Sequence, residues 1–299
     1  MILGVSVDGD HAHGVLMDSG GAVRRRADSS QPDIAEAIAA AARETLAEMD
    51  GVRPDAAGLS FPDPDPRNWL ADLSRVSAAV GEQVPIRMIS YGNASALAEA
   101  WYGSGHGARD LIAFSAGACI SAGVISSGVL LAGAHGLASS VQWLALNPVD
   151  REDYRRMGCL EAESGSPGII RRLIWRIKSG DTSSVLDMAG GDYNAITLEM
   201  ILNAAREDEG VAISVVRDTV KYVSMAVSNI AAVIDPEVIV LGGVVHSAPA
   251  LLLEPIRQEC ARRMPPGIYE RVRIDLSTLG PDSAAIGAAR FAKFGAALP

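Results

Sequence analysis

Three short runs open the chain, two apolar ones at residues 2–8 and 12–17 and a basic one, GAVRRR, at 21–26, with turns at Gly9-Asp10 and Ser19-Gly20-Gly21. Runs of this length bounded by Gly, Asp and Ser predict a meander of three strands with tight turns. The same arrangement returns at residues 110–116, 119–126 and 128–132, again with glycine-centred turns, so the pattern predicts a duplicated unit. After the first meander, residues 32–50 predict an Ala-rich amphipathic helix with Pro32 at its start, residues 56–61 a strand, and the prolines at 62, 64 and 66 a loop. Residues 84–90 predict another strand, and a helix opens over Asn93 to Trp101. In the second half, helices alternate with loops from Ser166 to Asn203, and a long helix is expected from Glu207 to Ile234. A strand from Val238 to Leu241 ends in Gly242-Gly243. Residues 249–263 then predict a helix, 272–276 a strand and 282–294 a terminal helix. Strands followed by helices in both halves predict an α/β protein with two related sheets. The expected division is an N-terminal α/β domain at 1–108, joined by the terminal helix within 282–299, and a C-terminal α/β domain at 109–281.

Leu111 to Val149 contains no Asp, Glu, Lys or Arg and is long enough to cross a bilayer. Gly and Ser interrupt it so often that no apolar run approaches the roughly 18 residues of a spanning helix. Buried strands and turns are the better reading, and no membrane partner is expected.

With 48% hydrophobic and 21% charged residues over 299 positions, the chain can bury one large or two medium cores, which excludes a disordered or disulfide-stapled polypeptide. The balance of 26 Lys and Arg against 36 Asp and Glu gives a formal charge of −10. Its basic clusters, Arg24 to Arg26 and Arg171 to Lys178, are short, so no nucleic-acid partner is expected. Cys119, Cys159 and Cys260 are too widely spaced for a disulfide framework or a four-ligand zinc set, which points to a reducing, cytoplasmic setting. The opening MILGVSVDGD fits neither a signal nor a transit peptide.

The segment AAVIDPEVIVLGGVV, residues 231–245, resembles the nucleotide-side signature of the ROK family of sugar kinases and repressors. DSAAIGAARFA at 282–292 is similar to that family's closing helix, YGNASALAEAW at 91–101 to the helix carrying its catalytic aspartate, and GCLEAESG at 158–165 to the tail of its zinc and sugar motif. The resemblance spans essentially the whole chain. It implies two RNase H-like domains of the actin and hexokinase type with a cleft between them. Because the first strand begins at Ile2, the winged helix of the repressor members is not expected.

Several motif positions depart from that family. Its first phosphate loop, aspartate, any residue, Gly-Gly-Thr, is matched by Ser6, Val7, Asp8, Gly9 and Asp10, so two carboxylates flank the remaining glycine and oppose a triphosphate unless a metal intervenes. A solvated hairpin turn explains Asp8-Gly9-Asp10 equally well. The resemblance places a catalytic aspartate two residues before Asn93, where this chain has Tyr91, a phenol too weakly acidic to serve as an ordinary base. Tyr91 could line the pocket or be a half-buried aromatic at a strand end. The second phosphate loop aligns with Gly117 to Gly123 and has lost its hydroxyl donor and two glycines. The sugar-binding glutamate and histidine of the next motif are absent from Ala138 to Trp143, leaving Ser140 and Trp143 as candidate ligand contacts.

The zinc positions hold Glu152, Tyr154 and Cys159, which excludes zinc in that mode. Cys159 reads as an inert buried thiol. Glu161 matches a sugar-contacting glutamate or is a first-turn helix charge. His11 and His13 share one strand face and suit a metal pair, or more simply exposed polar positions on an edge strand.

The candidate residues are therefore Asp8, Asp10 and Tyr91 for catalysis, Asn93, Ser140, Trp143 and Glu161 for the ligand, and Gly9, Gly117, Gly242 and Gly243 for any nucleotide, with no metal ligands. Three functions remain open: a sugar-like-molecule binder that has lost phosphotransfer, an enzyme of different chemistry built on Asp8 and Asp10, and an active ATP-dependent sugar kinase using Mg2+. A cytoplasmic homodimer is the expected form, with Mg2+ or a nucleotide the only cofactors left open.

Overall fold

The computed structural model describes residues 1–8, 11–47, 53–62 and 73–296. Gly9, Asp10 and the prolines at 64 and 66 lie outside the described residues. The first sheet contains β1 (Ile2–Asp8), β2 (His11–Met17), β3 (Val23–Ser30), β4 (Ala56–Phe61) and β5 (Ile86–Ser90), with α1 (Ile34–Leu46), α2 (Ser74–Val80) and α3 (Tyr91–Tyr102) among and after them. The second contains β6 (Leu111–Ala116), β7 (Ile120–Ser126), β8 (Val129–Leu130), β9 (Val238–Gly243) and β10 (Arg273–Leu276).

Between β8 and β9 run α4 (Glu152–Met157), α5 (Cys159–Ser164), α6 (Ser166–Lys178), α7 (Ser184–Met188), α8 (Leu198–Arg206) and α9 (Gly210–Ile234). Helices α10 (Val244–Ser247), α11 (Pro249–Arg263) and α12 (Pro266–Tyr269) separate β9 from β10, and α13 (Ser283–Phe294) closes the fold.

The two sheets have one topology. Their strand orders are β3-β2-β1-β4-β5 and β8-β7-β6-β9-β10. In each, the first three strands form an antiparallel meander and the last two run parallel to the first strand. The duplication expected from the repeated meander is present. The charge-free stretch supplies β6, β7 and β8, and among the described residues no helix is long and apolar enough to cross a membrane.

Burial explains which runs were easy to read. β1, β4 and β6 are covered on both faces and carry near-continuous apolar sequence. β3 is an edge strand and extends to Ser30, past the expected residue 26; Arg24 and Arg26 point to solvent there, charges that protect an open edge from further pairing. Pro32 lies before α1 and not in it, because Asp33 is the cap: its Oδ1 accepts from the N–H of Ala35 and Glu36 at 2.9 and 3.3 Å. Residues 207–209 end α8 and turn the chain, so the long helix starts at Gly210 with Glu209 capping the N–H of Ala212. Gly242 and Gly243 belong to β9, which pairs through them with Ser115 and Ala116.

β2 is an interior strand, between β1 and β3, which corrects the edge-strand reading of the two histidines. His13 sits between two carboxylates: Nδ1 meets Asp28 on β3, and Nε2 lies 2.7 Å from Asp282 Oδ1 just before α13. The hydrogen bond to Asp282, chiefly, raises the His13 pKa against the opposing effect of burial.

The helices that follow the two sheets are exchanged. α3, leaving β5, packs on β6 and β7, whereas α13, leaving β10, packs on β1 and β4, and the two helices pack on each other. A Cβ on Gly4 or Gly58 would lie 1.9 Å from the carbonyl oxygen of Ala285 or Ala288, so α13 can reach the first sheet only over glycine. This exchange ties the sheets together and leaves a cavity where their strand ends face each other.

Candidate functional site

The cavity has a volume of about 240 Å³. One wall is a face of α3. Tyr91, Ser95 and Glu99, four residues apart, point into it and span about 12 Å at 1.5 Å per residue. Asp8 enters from the end of β1, Ser115, Gly117 and Ser121 from the β6–β7 hairpin, and Gly242 and Gly243 from the end of β9. Asp8, Tyr91, Gly117, Gly242 and Gly243 were all expected at the site, and the fold brings them together.

At the Asp8 end, the Asp8 charge acts on two further acidic groups, Tyr91 and Glu161. The Asp8 side chain is open to solvent, yet the surrounding walls withdraw enough water to raise its pKa, partly offset by His11. Tyr91 caps the same small recess beside Gly117 and Ser121. Burial, and then the nearby Asp8 charge, hold its phenol far above its ordinary value. Glu161 on α5 has its carboxyl pushed up to about 7 by burial, with Asp8 adding to the shift and a hydrogen bond from Ile120 N–H opposing it. That bond, Ile120 N to Glu161 Oε2 at 2.6 Å, fixes the β6–β7 hairpin to α5. Ser166, the first residue of α6, holds the hairpin from the other side: its N–H and its hydroxyl both donate to Gly117 O, at 2.9 and 2.8 Å. Within the hairpin, Gly117 N–H donates to Cys119 O at 3.1 Å.

The position of α3 depends on a glycine contact. A Cβ on Gly92 would lie 2.1 Å from Ala122 O, and one on Gly123 would lie 2.1 Å from Gly92 O. Backbone meets backbone here, so the first turn of α3 touches β7 without an intervening side chain.

The other end of the cavity was not anticipated. Glu99 is 1% exposed, accepts from the Ser277 hydroxyl, from Ser104 N–H at 3.0 Å and from the Ser283 hydroxyl at 3.4 Å, and its carboxyl is raised mainly by burial. His246 faces the same region with a buried Nδ1 that has no hydrogen-bond partner. Glu99 did leave a signal, being the only charged residue in α3. Its serine partners, 178 and 184 positions away, did not.

Three expected ligand contacts are placed elsewhere. Asn93 is buried in α3 away from the cavity lining, with Oδ1 unpartnered. Ser140 donates its hydroxyl to Leu137 O at 2.6 Å, and Trp143 is 51% exposed; neither lines the cavity. Glu161 stays beside the site, although its carboxylate is directed at the hairpin backbone. Cys159 is buried with Tyr154, Ala162 and Leu146, and the Tyr154 hydroxyl donates to the buried Glu163.

The sequence pattern of the ROK family matches residues 73–294. A glucokinase of Halalkalibacterium halodurans is 28% identical over 207 residues, 69% of this chain and 62% of that protein, so the matched stretch spans just under two thirds of the relative. The crystal structure of a ROK family glucokinase from Streptomyces griseus, in complex with glucose and AMPPNP, superposes with a TM-score of 0.83 at 23% identity, covering 98% of this chain and 99% of that one. A ROK family transcriptional regulator homologous to the E. coli MLC protein superposes with a TM-score of 0.78 at 20% identity, over 96% of this chain and 76% of the regulator.

Proposed function

The chain belongs to the ROK family, and from that membership and the cavity together we propose that it binds a sugar or sugar-like molecule there and transfers no phosphoryl group. The observation that carries this reading is the bonding of the β6–β7 hairpin. A phosphate-holding loop needs free backbone N–H groups. Here Ile120 N–H is taken by the Glu161 carboxylate and Gly117 N–H by Cys119 O. Asp8, and Glu161 in its ionised form, place negative charge beside the hairpin, which opposes a phosphate there. Tyr91 cannot accept a proton from a sugar hydroxyl, because its phenol stays protonated at neutral pH. Carboxylates, serine hydroxyls and an aromatic ring suit a neutral or cationic polyhydroxyl ring. In this reading residues 1–108 with 282–299 form one lobe and residues 109–281 the other, and closure over the ligand excludes water.

Isothermal titration with neutral hexoses, aminosugars and cyclitols should find one class that binds saturably. Asp8→Asn and Tyr91→Phe should each weaken binding by about tenfold or more, a loss of about 1.4 kcal/mol, with the melting temperature nearly unchanged. Formation of a sugar phosphate by purified protein with Mg2+ and ATP would return the chain to the active kinases.

The carboxyls of Asp8 and Glu161 favour a second reading, an enzyme of different chemistry. A carboxyl titrating near neutrality can serve as a general acid or base, and a neighbouring carboxylate divides the two roles. Asp10, the other member expected of such a pair, lies outside the described residues. This reading requires that Glu161 titrate in the folded protein. Between its ordinary value of 4.5 and about 7, the folded state then holds a proton that the unfolded state has lost, so stability falls as pH rises through that window. Glu161→Gln should remove that fall, seen as a smaller difference in melting temperature between pH 5 and pH 8 than in the unmodified protein. An unchanged difference excludes Glu161 as the acid.

A further inference from the structure

A second and larger cavity, about 740 Å³, lies on the other side of α5, against α6 and α9. Five cationic side chains line it, and four of them have a carboxylate in hydrogen-bonding contact. Arg151 meets Glu163 at 3.3 Å, Lys221 meets Asp218 at 3.1 Å, Arg171 meets Asp153, and Arg176 meets Asp181 behind the wall. The fifth, Arg172, is different. Its side chain is 14% exposed, and only Nη2 is hydrogen-bonded, to Thr219 Oγ1 at 2.6 Å. Nε and Nη1 are buried without a partner. Glu163 and Asp218 lie 4.0 and 3.9 Å from them, near enough to attract the guanidinium and too far to accept from it.

A buried cation with open donors is costly unless something accepts from it. One turn along α6 on the same wall, Trp175 is 66% exposed and presents a large ring that no core requires. We propose that this cavity binds a phosphorylated ring compound of the sugar or nucleoside monophosphate class. Its phosphate pairs with the Arg172 guanidinium, and its ring lies on Trp175. The cationic surplus of the wall selects an anion, guanidinium groups suit phosphate, and the volume admits a ring besides the phosphate. The site is separate from the cleft, where the hairpin carboxylates oppose phosphate.

Calorimetric titration with inorganic phosphate, glucose 6-phosphate and AMP, against glucose and adenosine as neutral controls, tests the assignment. A phosphorylated ring compound should bind at one site per chain, tighter than inorganic phosphate and tighter than its neutral control. Trp175→Ala, a change at an exposed residue, and Arg172→Met should each weaken that binding about tenfold or more, whereas Asp8→Asn should leave it unchanged. If Arg172→Met fails to fold, Trp175→Ala with Lys221→Gln decides. The proposal is overturned if no phosphorylated probe binds, if neutral controls bind as well, if binding follows Asp8 and not Trp175, or if Trp175→Ala abolishes only self-association of the chain.

Discussion

The hairpin after β1 and the hairpin after β6 occupy the same place in two sheets of identical strand order, yet they bring opposite chemistry to the cavity between them. The first begins at Asp8, whose carboxyl is raised by its surroundings. The second begins at Gly117 and presents backbone, with the N–H of Gly117 donating to Cys119 O and that of Ile120 to Glu161. Strand order follows from burial of apolar runs, which both halves share. Turn chemistry is under no such constraint, so the duplicated scaffold fixes where a ligand can sit without fixing which group meets it. The halves differ again between their third and fourth strands: among the described residues α1 is the one helix in that gap in the first, whereas α4 to α9 fill it in the second and build the Arg172 cavity.

The largest effect should come from the contact that holds α3 to the second sheet. Gly92→Val puts side-chain atoms where Ala122 O stands, and backbone cannot move aside as a flexible side chain can. A loss on the order of 3 kcal/mol or more is expected, visible as a large drop in melting temperature and loss of ligand binding together. A stable variant that still binds would show that α3 does not depend on this approach.

A smaller effect, and one with a pH signature, belongs to the first sheet alone. His13 links β2 to β3 and to the start of α13 through Asp28 and Asp282. At Asp282, burial works to raise the carboxyl pKa, but the hydrogen bonds and charges of His13 and Arg26 outweigh it, so it stays ionised. The His13 pKa is raised above 6.5, so the contribution is complete below that value and is lost as pH rises through the folded-state value. His13→Asn should therefore cost about 1.5–3 kcal/mol near pH 6, the range for hydrogen bonds to charged groups, and clearly less near pH 9. Equal costs at the two pH values would mean that His13 acts by packing only.

These residues also mark what was legible in the sequence. The two meanders were readable because β1, β6 and β7 are covered on both faces and a covered strand needs an unbroken apolar run. Asp8, Tyr91 and Gly117 could be placed at the site because each lies where a strand ends, which is where the cavity opens. Position along β2 was not enough to show that the strand is interior, since pairing on both sides is a property of the sheet and not of one strand's sequence. Asn93 lies off the cavity wall because it follows Tyr91 by two residues, a step that turns a helix side chain to another face, whereas steps of four keep Ser95 and Glu99 on the wall. Ser277 and Ser283 join Glu99 only through the exchange of α3 and α13 between the sheets, a tertiary event with no local pattern.

The smallest effect should come from Gly117, the counterpart of the Asp8 turn. A Cβ there would lie 3.5 Å from Asp8 Oδ2 and 3.7 Å from Cys119 O, ordinary van der Waals distances, and Gly117 is not among the glycines with positive φ. Gly117→Ala removes conformational freedom from the unfolded chain while meeting no obstacle in the folded one, so it should leave stability unchanged or raise it by about 0.4–1 kcal/mol. The added methyl does occupy cavity space beside the Asp8 carboxylate. A ligand seated against Asp8 should therefore bind more weakly, and titration of any cleft ligand against this variant would show it. The expected pairing is an intact melting temperature with weakened binding, the opposite of Gly92→Val, where both fall together. If Gly117→Ala unfolds the protein, the second hairpin is a packing element like the α3 contact and not a wall of the ligand site.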